Sequence, residues 1–220
     1  MASTLTAQPQ VPTSAGNRSL AWAQANRKLL MIAGGILLAI LVVVWFLSTA
    51  KSRREDFANR SLTQARNIAE SGNIPEASTE FQKIIDTYAG TVAAQEAEIA
   101  LNQLRLVSGQ SELAVVRLRE FVGANPGPRF TSAANGLLGA ALENVGRPAE
   151  AGDAYKQASE AAPVDYLKAE YLLQAGRGYA AGGKRAEAES AYRIIIEKYP
   201  TSGAFVEAQV RLAEMTKGQL

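Results

Sequence analysis

The chain has no cysteine and no histidine among its 220 residues. Without cysteine there is no disulfide framework, thiolate nucleophile, iron–sulfur cluster or cysteine-ligated zinc. Without histidine there is no Ser-His-Asp triad and no imidazole ligand, so any catalysis would fall to carboxylates, Lys, Tyr or Ser. Acids are missing from the first 50 positions, where Arg18, Arg27 and Lys28 are the only charges. The remaining 20 of the 23 bases face all 21 acids, so the net charge of +2 comes from a basic tail ahead of a near-neutral body. Such a body lacks the basic footprint of a nucleic-acid binder. The lack of thiols permits an oxidising envelope compartment without requiring it.

Charge is absent again from residues 29–50, LLMIAGGILLAILVVVWFLSTA. As a helix this stretch is about 33 Å long, enough to cross a bilayer core. A buried helix of a soluble protein seldom stays apolar on every side for that length. Trp45 and Phe46 suit the aromatic interface belt, with Lys51, Arg53 and Arg54 as headgroup anchors. A cleavable signal peptide competes, because Ser48 and Ala50 are small, but its apolar region typically runs about 7–15 residues. The expectation is an uncleaved signal anchor. Gly35 and Ala39 form a small-xxx-small pair against which another membrane helix would pack. Residues 1–28, rich in Ala, Ser, Thr, Gln and Pro, read as a flexible tail, and 51–220 as the body. The bases just after the span favour a cytoplasmic body, while the short acid-free tail is that of a signal anchor with an exported one. Both sides stay open on charge alone.

The body repeats. Gly72, Gly109, Gly146 and Gly183 are spaced 37 apart, and other columns keep the same offset. One holds Ala77, Ala114, Ala151 and Ala188; four residues later stand Phe81, Leu118, Tyr155 and Tyr192; then come Ile84, Phe121, Ala158 and Ile195. Ala89, Pro126, Pro163 and Pro200 close the unit. Apolar positions at plus four and plus seven from the Ala column make one helix face, which Pro stops. A second helical pattern precedes the Gly column, so Gly occupies the turn, where a left-handed backbone is needed. No period-two alternation is long enough for a sheet. The expected fold is all-α: one transmembrane helix and an α-solenoid of four helix pairs, with a fifth first helix over about Ala204 to Lys217 as cap.

These residues resemble the tetratricopeptide repeat (TPR) family. The unit from Ala169 gives Leu172, Ala175-Gly176, Tyr179, Ala188, Tyr192 and Pro200 at the spacings of W-x₂-L-G-x₂-Y, A-x₃-F and P. The unit from Ser132 gives Leu138-Gly139, Leu142, Ala151, Tyr155 and Pro163. The units from about Phe57 and from Gln95 match less well in their first helices, with Arg105 at an aromatic position. The period departs from the usual 34 or so, and the Trp position holds Ser61, Glu98, Asn135 and Leu172.

The resemblance implies a groove lined by first helices at repeat positions 2, 5, 9 and 12. In this chain that selects Leu62, Arg66, Glu96, Ile99, Gln103, Leu106, Glu170, Leu173 and Arg177 as candidate partner contacts. On the residue pattern alone, the apolar residues among them fit the core between repeats equally well. The Lys/Asn/Arg clamp with which some TPR domains hold a terminal carboxylate is not matched, because position 5 is apolar. No active site, cofactor motif or metal constellation stands out: Gly182-Gly183-Lys184 lacks the remaining residues of a phosphate-binding loop. The expected partners are proteins and the membrane, with no nucleic acid, cofactor or small-molecule substrate. An anchor followed by a short TPR array also resembles bacterial envelope proteins of the YfgM type, ancillary to the Sec translocon. That resemblance implies an inner-membrane adaptor with a periplasmic repeat domain. An assembly subunit held through its span and a cytoplasm-facing scaffold are the alternatives.

Overall fold

A computed structural model describes Trp22 and residues 24–216. Among these the regular structure is helical throughout, as the periodicity predicts: α1 (Arg27–Glu70), α2 (Ile74–Thr87), α3 (Val92–Val107), α4 (Ser111–Gly123), α5 (Pro128–Asn144), α6 (Pro148–Ala161), α7 (Asp165–Ala181), α8 (Arg185–Lys198) and α9 (Phe205–Thr216). The chain divides into two compact units, Met1–Arg53 and Arg54–Leu220.

In the first unit, α1 carries the apolar run, and its large side chains from Leu29 to Leu47 are exposed. The helix is long and apolar enough to cross a membrane, and its most apolar stretch is unburied. Exposure of an all-round apolar surface is the property that separates such a helix from a soluble core helix. Residues 51–56 contain neither Pro nor Gly, and α1 accordingly runs on without a stop into the first repeat.

In the second unit, each repeat is an antiparallel helix pair closed by the same turn. Gly72, Gly109, Gly146 and Gly183 all have positive φ, between 72° and 86°. At each, the glycine N–H donates to the carbonyl three residues back, and the next N–H reaches the carbonyl five back: Asn73 to Ile68, Gln110 to Arg105, Arg147 to Leu142, Lys184 to Tyr179. This is the Schellman closure, which satisfies the carbonyls orphaned at a helix end and requires a left-handed residue. The Pro column falls just beyond α4, α6 and α8, where it blocks continuation of the helix. The cap α9 lies where the period placed it, although Lys217 is outside the described residues.

The helix pairs close on small residues. All four alanines of the repeat column are fully buried. At Gly139 an added Cβ would stand 2.6 Å from the Tyr155 ring, so the ring occupies the volume that glycine vacates. Gly176 opposes Tyr192 in the same way one repeat later. Glycine at this column and an aromatic 16 residues on form one packing unit.

The apolar core is nonetheless in two pieces. One joins α1, α2 and α3 around Phe81, Ile84 and Leu101. The other runs from Ala114 on α4 to Leu212 on α9. Between them the second repeat carries Asn102 and Arg105 where the fourth carries Gly176 and Tyr179. Phe121, in the same repeat, is only half-buried, unlike its column partners Ile84, Ala158 and Ile195.

Two neighbouring charged residues fasten the start of the array. Arg54 Nη2 donates to the Thr87 carbonyl at 3.0 Å, at the C-terminal end of α2. Glu55 accepts from the N–H groups of Val92 and Ala93 at 3.0 and 2.9 Å, at the N-terminal end of α3. A cation at a helix C-terminus and an anion at an N-terminus each match the local dipole, and Thr91 adds a side-chain cap to Ala94 at 3.1 Å. Glu55→Ala is expected to destabilise the first two repeats by about 1 kcal/mol, read as faster amide exchange in α3. Unchanged exchange there would show that the contact contributes nothing.

Candidate functional site

The first helices α1, α3 and α5 bound an open concavity of about 700 Å³ above Phe130, walled by Arg66, Glu96, Ile99, Gln103 and Arg129. Its floor is apolar, formed by Phe130 and the edge of Phe81. Glu96 is the electrostatic centre. One of its oxygens meets Arg66 at 2.8 Å, the other meets Arg129 at 2.7 Å, and the side chain is 19% exposed. The Arg129 guanidinium also lies 5.4 Å from the Phe130 ring centre, over the same floor.

Four expected contacts, Arg66, Glu96, Ile99 and Gln103, are thus brought together. Two others are corrected: Leu62 and Leu173 are buried in the first and second cores and present nothing to a partner. Position 5 packs inward in these two repeats, whereas Ile99, its counterpart in the second, lines the concavity. In the third repeat it is Gly136, where the Tyr171 ring lies 2.6 Å from an added Cβ. Leu106 is half-buried against the second core. Glu170 is exposed and accepts from Gln174 at 3.0 Å. Arg177 lies apart from the concavity and binds Glu207 through Nε at 3.0 Å and through Nη2.

Arg66–Glu96 and Arg177–Glu207 occupy the same register, position 9 of one repeat to position 2 of the next. The two registers between them hold Gln103 with Ala133 and Ala140 with Glu170, where no such pair can form. Charge pairs of this register therefore stand at the two ends of the face and not in its middle. Arg129 is the residue that repeat positions did not select. Its signal in the sequence is a base in the first turn of a helix, where the dipole disfavours it unless an acid is near.

The Arg177 hydrogen bond holds the Glu207 carboxyl below the usual carboxylate range, and Arg211 adds to the shift. A carboxyl depressed in the folded state stabilises above its unfolded pKa and loses that contribution as pH falls through the folded one. Glu207→Gln should therefore lower the melting temperature at pH 7, with the difference narrowing as the pH falls below the usual carboxylate range. The effect is modest, since both partners are a third or more exposed. A melting difference that does not narrow in acid would remove the pair from the account.

Among the described residues no cluster of three or more acidic side chains gathers as for a metal. The buried phenols of Tyr155 and Tyr179 donate to Glu143 and Asp153, both at 2.9 Å. Burial, reinforced by those carboxylates, pushes both hydroxyls above their ordinary range, which suits structural donors. In α1, Gly35 and Ala39 are exposed, with nothing within 4 Å of a Cβ added at Gly35.

The profile of the tetratricopeptide repeat-like domain matches residues 21–216. The chain belongs to that family. The match takes in the apolar run as well as the TPR-like repeats, so both are part of one family pattern. Among solved structures, the TPR-like chain is similar to the MamA protein, with a TM-score of 0.58 at 18% identity over 74% of this chain and 82% of that one. It is also similar to a Podosopora anserina protein of nearly identical TPR-like repeats, with a TM-score of 0.55 at 19% identity over 73% and 85%. At such identities the likeness is one of fold. No curated protein gives a match. A TPR-like fold makes the chain a protein-interaction scaffold, a class typically without enzymatic activity.

Proposed function

We propose that the protein is a single-pass membrane adaptor whose repeats bind other proteins at a membrane complex. The observation that carries this reading is the concavity over Phe130, where an apolar floor is rimmed by Arg66, Glu96 and Arg129. Such a surface suits an amphipathic segment, with the floor supplying burial and the rim supplying orientation. The apolar part of α1 supplies the tether. By its resemblance to envelope proteins of the YfgM type, the repeat domain faces the periplasm of a bacterial inner membrane and attends exported proteins near the translocon.

The test is a photo-crosslinking amino acid placed at Gln103 and, separately, at the exposed Lys198, in native membranes. Defined protein adducts from Gln103 and none from Lys198 are the expected result; no adduct from Gln103 would overturn the adaptor reading. A second reading, a subunit held through its span, rests on the uncovered Gly35 and Ala39. Replacing the span by an unrelated one separates the two, since an adaptor keeps its Gln103 adducts and a span-docked subunit loses its complex. Fusions of alkaline phosphatase and of green fluorescent protein to the C-terminus report the side of the membrane.

A further inference from the structure

Arg105 is the one member of its column that does not belong in a core. The corresponding residues of the other repeats are Ile68, Leu142 and Tyr179. Arg105 is nevertheless buried, 9% exposed. Its guanidinium donates to Asn102 at 3.0 Å and to Gln82 at 3.4 Å, both neutral acceptors. Among the described residues no carboxylate forms an ion pair with it. The acid whose charge acts on it is Glu98, whose carboxylate instead accepts from the Asn102 amide at 3.2 Å, and Arg117 adds a repelling charge. Desolvation lowers its pKa, the mark of a cation short of compensation. A buried cation without a carboxylate is costly, and a bidentate carboxylate is the partner its planar fork fits best.

The same side chain lines an open cleft of about 800 Å³ between α2, α3 and α4. That volume lies within the range of ligand sites, and the cleft shares no lining residue with the concavity over Phe130. Ile74 and Leu113 give it apolar walls, while Ser78, Thr79 and Gln82 give it hydroxyl and amide groups. Two charges stand at its rim. Lys83 is engaged by Glu80 at 3.4 Å, and Asp86 accepts from Gln82 at 3.0 Å. Arg105 is therefore the buried charge that an incoming group meets.

We propose that this cleft is a second docking site, which takes an extended protein segment carrying a Glu or Asp side chain between apolar residues, with Arg105 pairing to that carboxylate. The apolar neighbours of the acid lie against Ile74 and Leu113, and the segment backbone finds the hydroxyl groups of Ser78 and Thr79.

The full-length protein in detergent micelles is titrated with the acetylated and amidated peptide Ala-Leu-Glu-Ile-Ala and with its Gln counterpart, which has no carboxylate. The Glu peptide is expected to bind at least tenfold more tightly. In Arg105→Met the preference disappears while the melting temperature stays level or rises, because an unpaired charge is replaced by an apolar chain of similar length. Arg105→Lys, which keeps the charge and loses the fork, falls between. Equal affinity for the two peptides, no binding of either, or a retained preference in Arg105→Met overturns the proposal. A lower melting temperature in Arg105→Met overturns it too, since Arg105 would then be a packing element.

Discussion

Gly182→Ala is expected to destabilise the repeat unit by about 2–3 kcal/mol, a large loss for one methyl group. At the end of α7 an added Cβ would lie 2.6 Å from both the backbone nitrogen and the Cβ of Ala149, and 2.7 Å from its Cα. These atoms belong to the first turn of α6, so relief requires the two helices to separate. Four residues earlier Gly178 meets backbone as well, at 2.9 Å from the Gly152 nitrogen and the Pro148 carbonyl oxygen. This is the closest backbone approach among the glycines of the array, and it explains three glycines that the turn column does not require. Gly123→Ala is the control, since its Cβ meets nothing within 4 Å and alanine is the better helix former. Chemical denaturation of the two variants should give opposite signs; equal stability of Gly182→Ala and the parent would show that the helices have room to part.

Tyr192→Ala is the second substitution with a large expected effect, a loss of about 3–5 kcal/mol. Tyr192 is 1% exposed, and its ring fills the space over Gly176. The loss should also be local. Repeat arrays propagate stability through neighbouring contacts, and here the apolar core is interrupted at Asn102 and Arg105. Hydrogen exchange should therefore accelerate across α7, α8 and α9 while amides around Phe81 and Ile84 keep their protection. Equal acceleration at both ends would show one cooperative unit, and the polar interruption would then carry no thermodynamic meaning.

The features that could be read in the sequence are those that every repeat needs for the same backbone or volume reason. The turn glycines had to be left-handed, the Ala column had to let helices approach, and Pro had to end the second helices. What could not be read depends on neighbours outside the period. Leu62 and Leu173 share a repeat position with Ile99, which lines the concavity, yet both are buried against adjacent helices, as Gly136 is under the Tyr171 ring. Arg129 precedes the repeat frame and reaches Glu96 across 33 residues of sequence. The repeat spacing starts the first unit at about Phe57, yet Arg54 and Glu55 already make contacts of the array. Their role is invisible to a periodic search, since the positions one period on are Thr91 and Val92 and carry no charge.

That pair of charges has a practical bearing on how a water-soluble version is cut. A fragment begun at Phe57, where the repeat pattern starts, discards the groups that close the end of α2 and open α3, and leaves Val92 and Ala93 with bare amides. Begun two or three residues ahead of Arg54, the fragment sheds the apolar run and keeps both fasteners, so the excision point is dictated by hydrogen-bond bookkeeping and not by the repeat boundary.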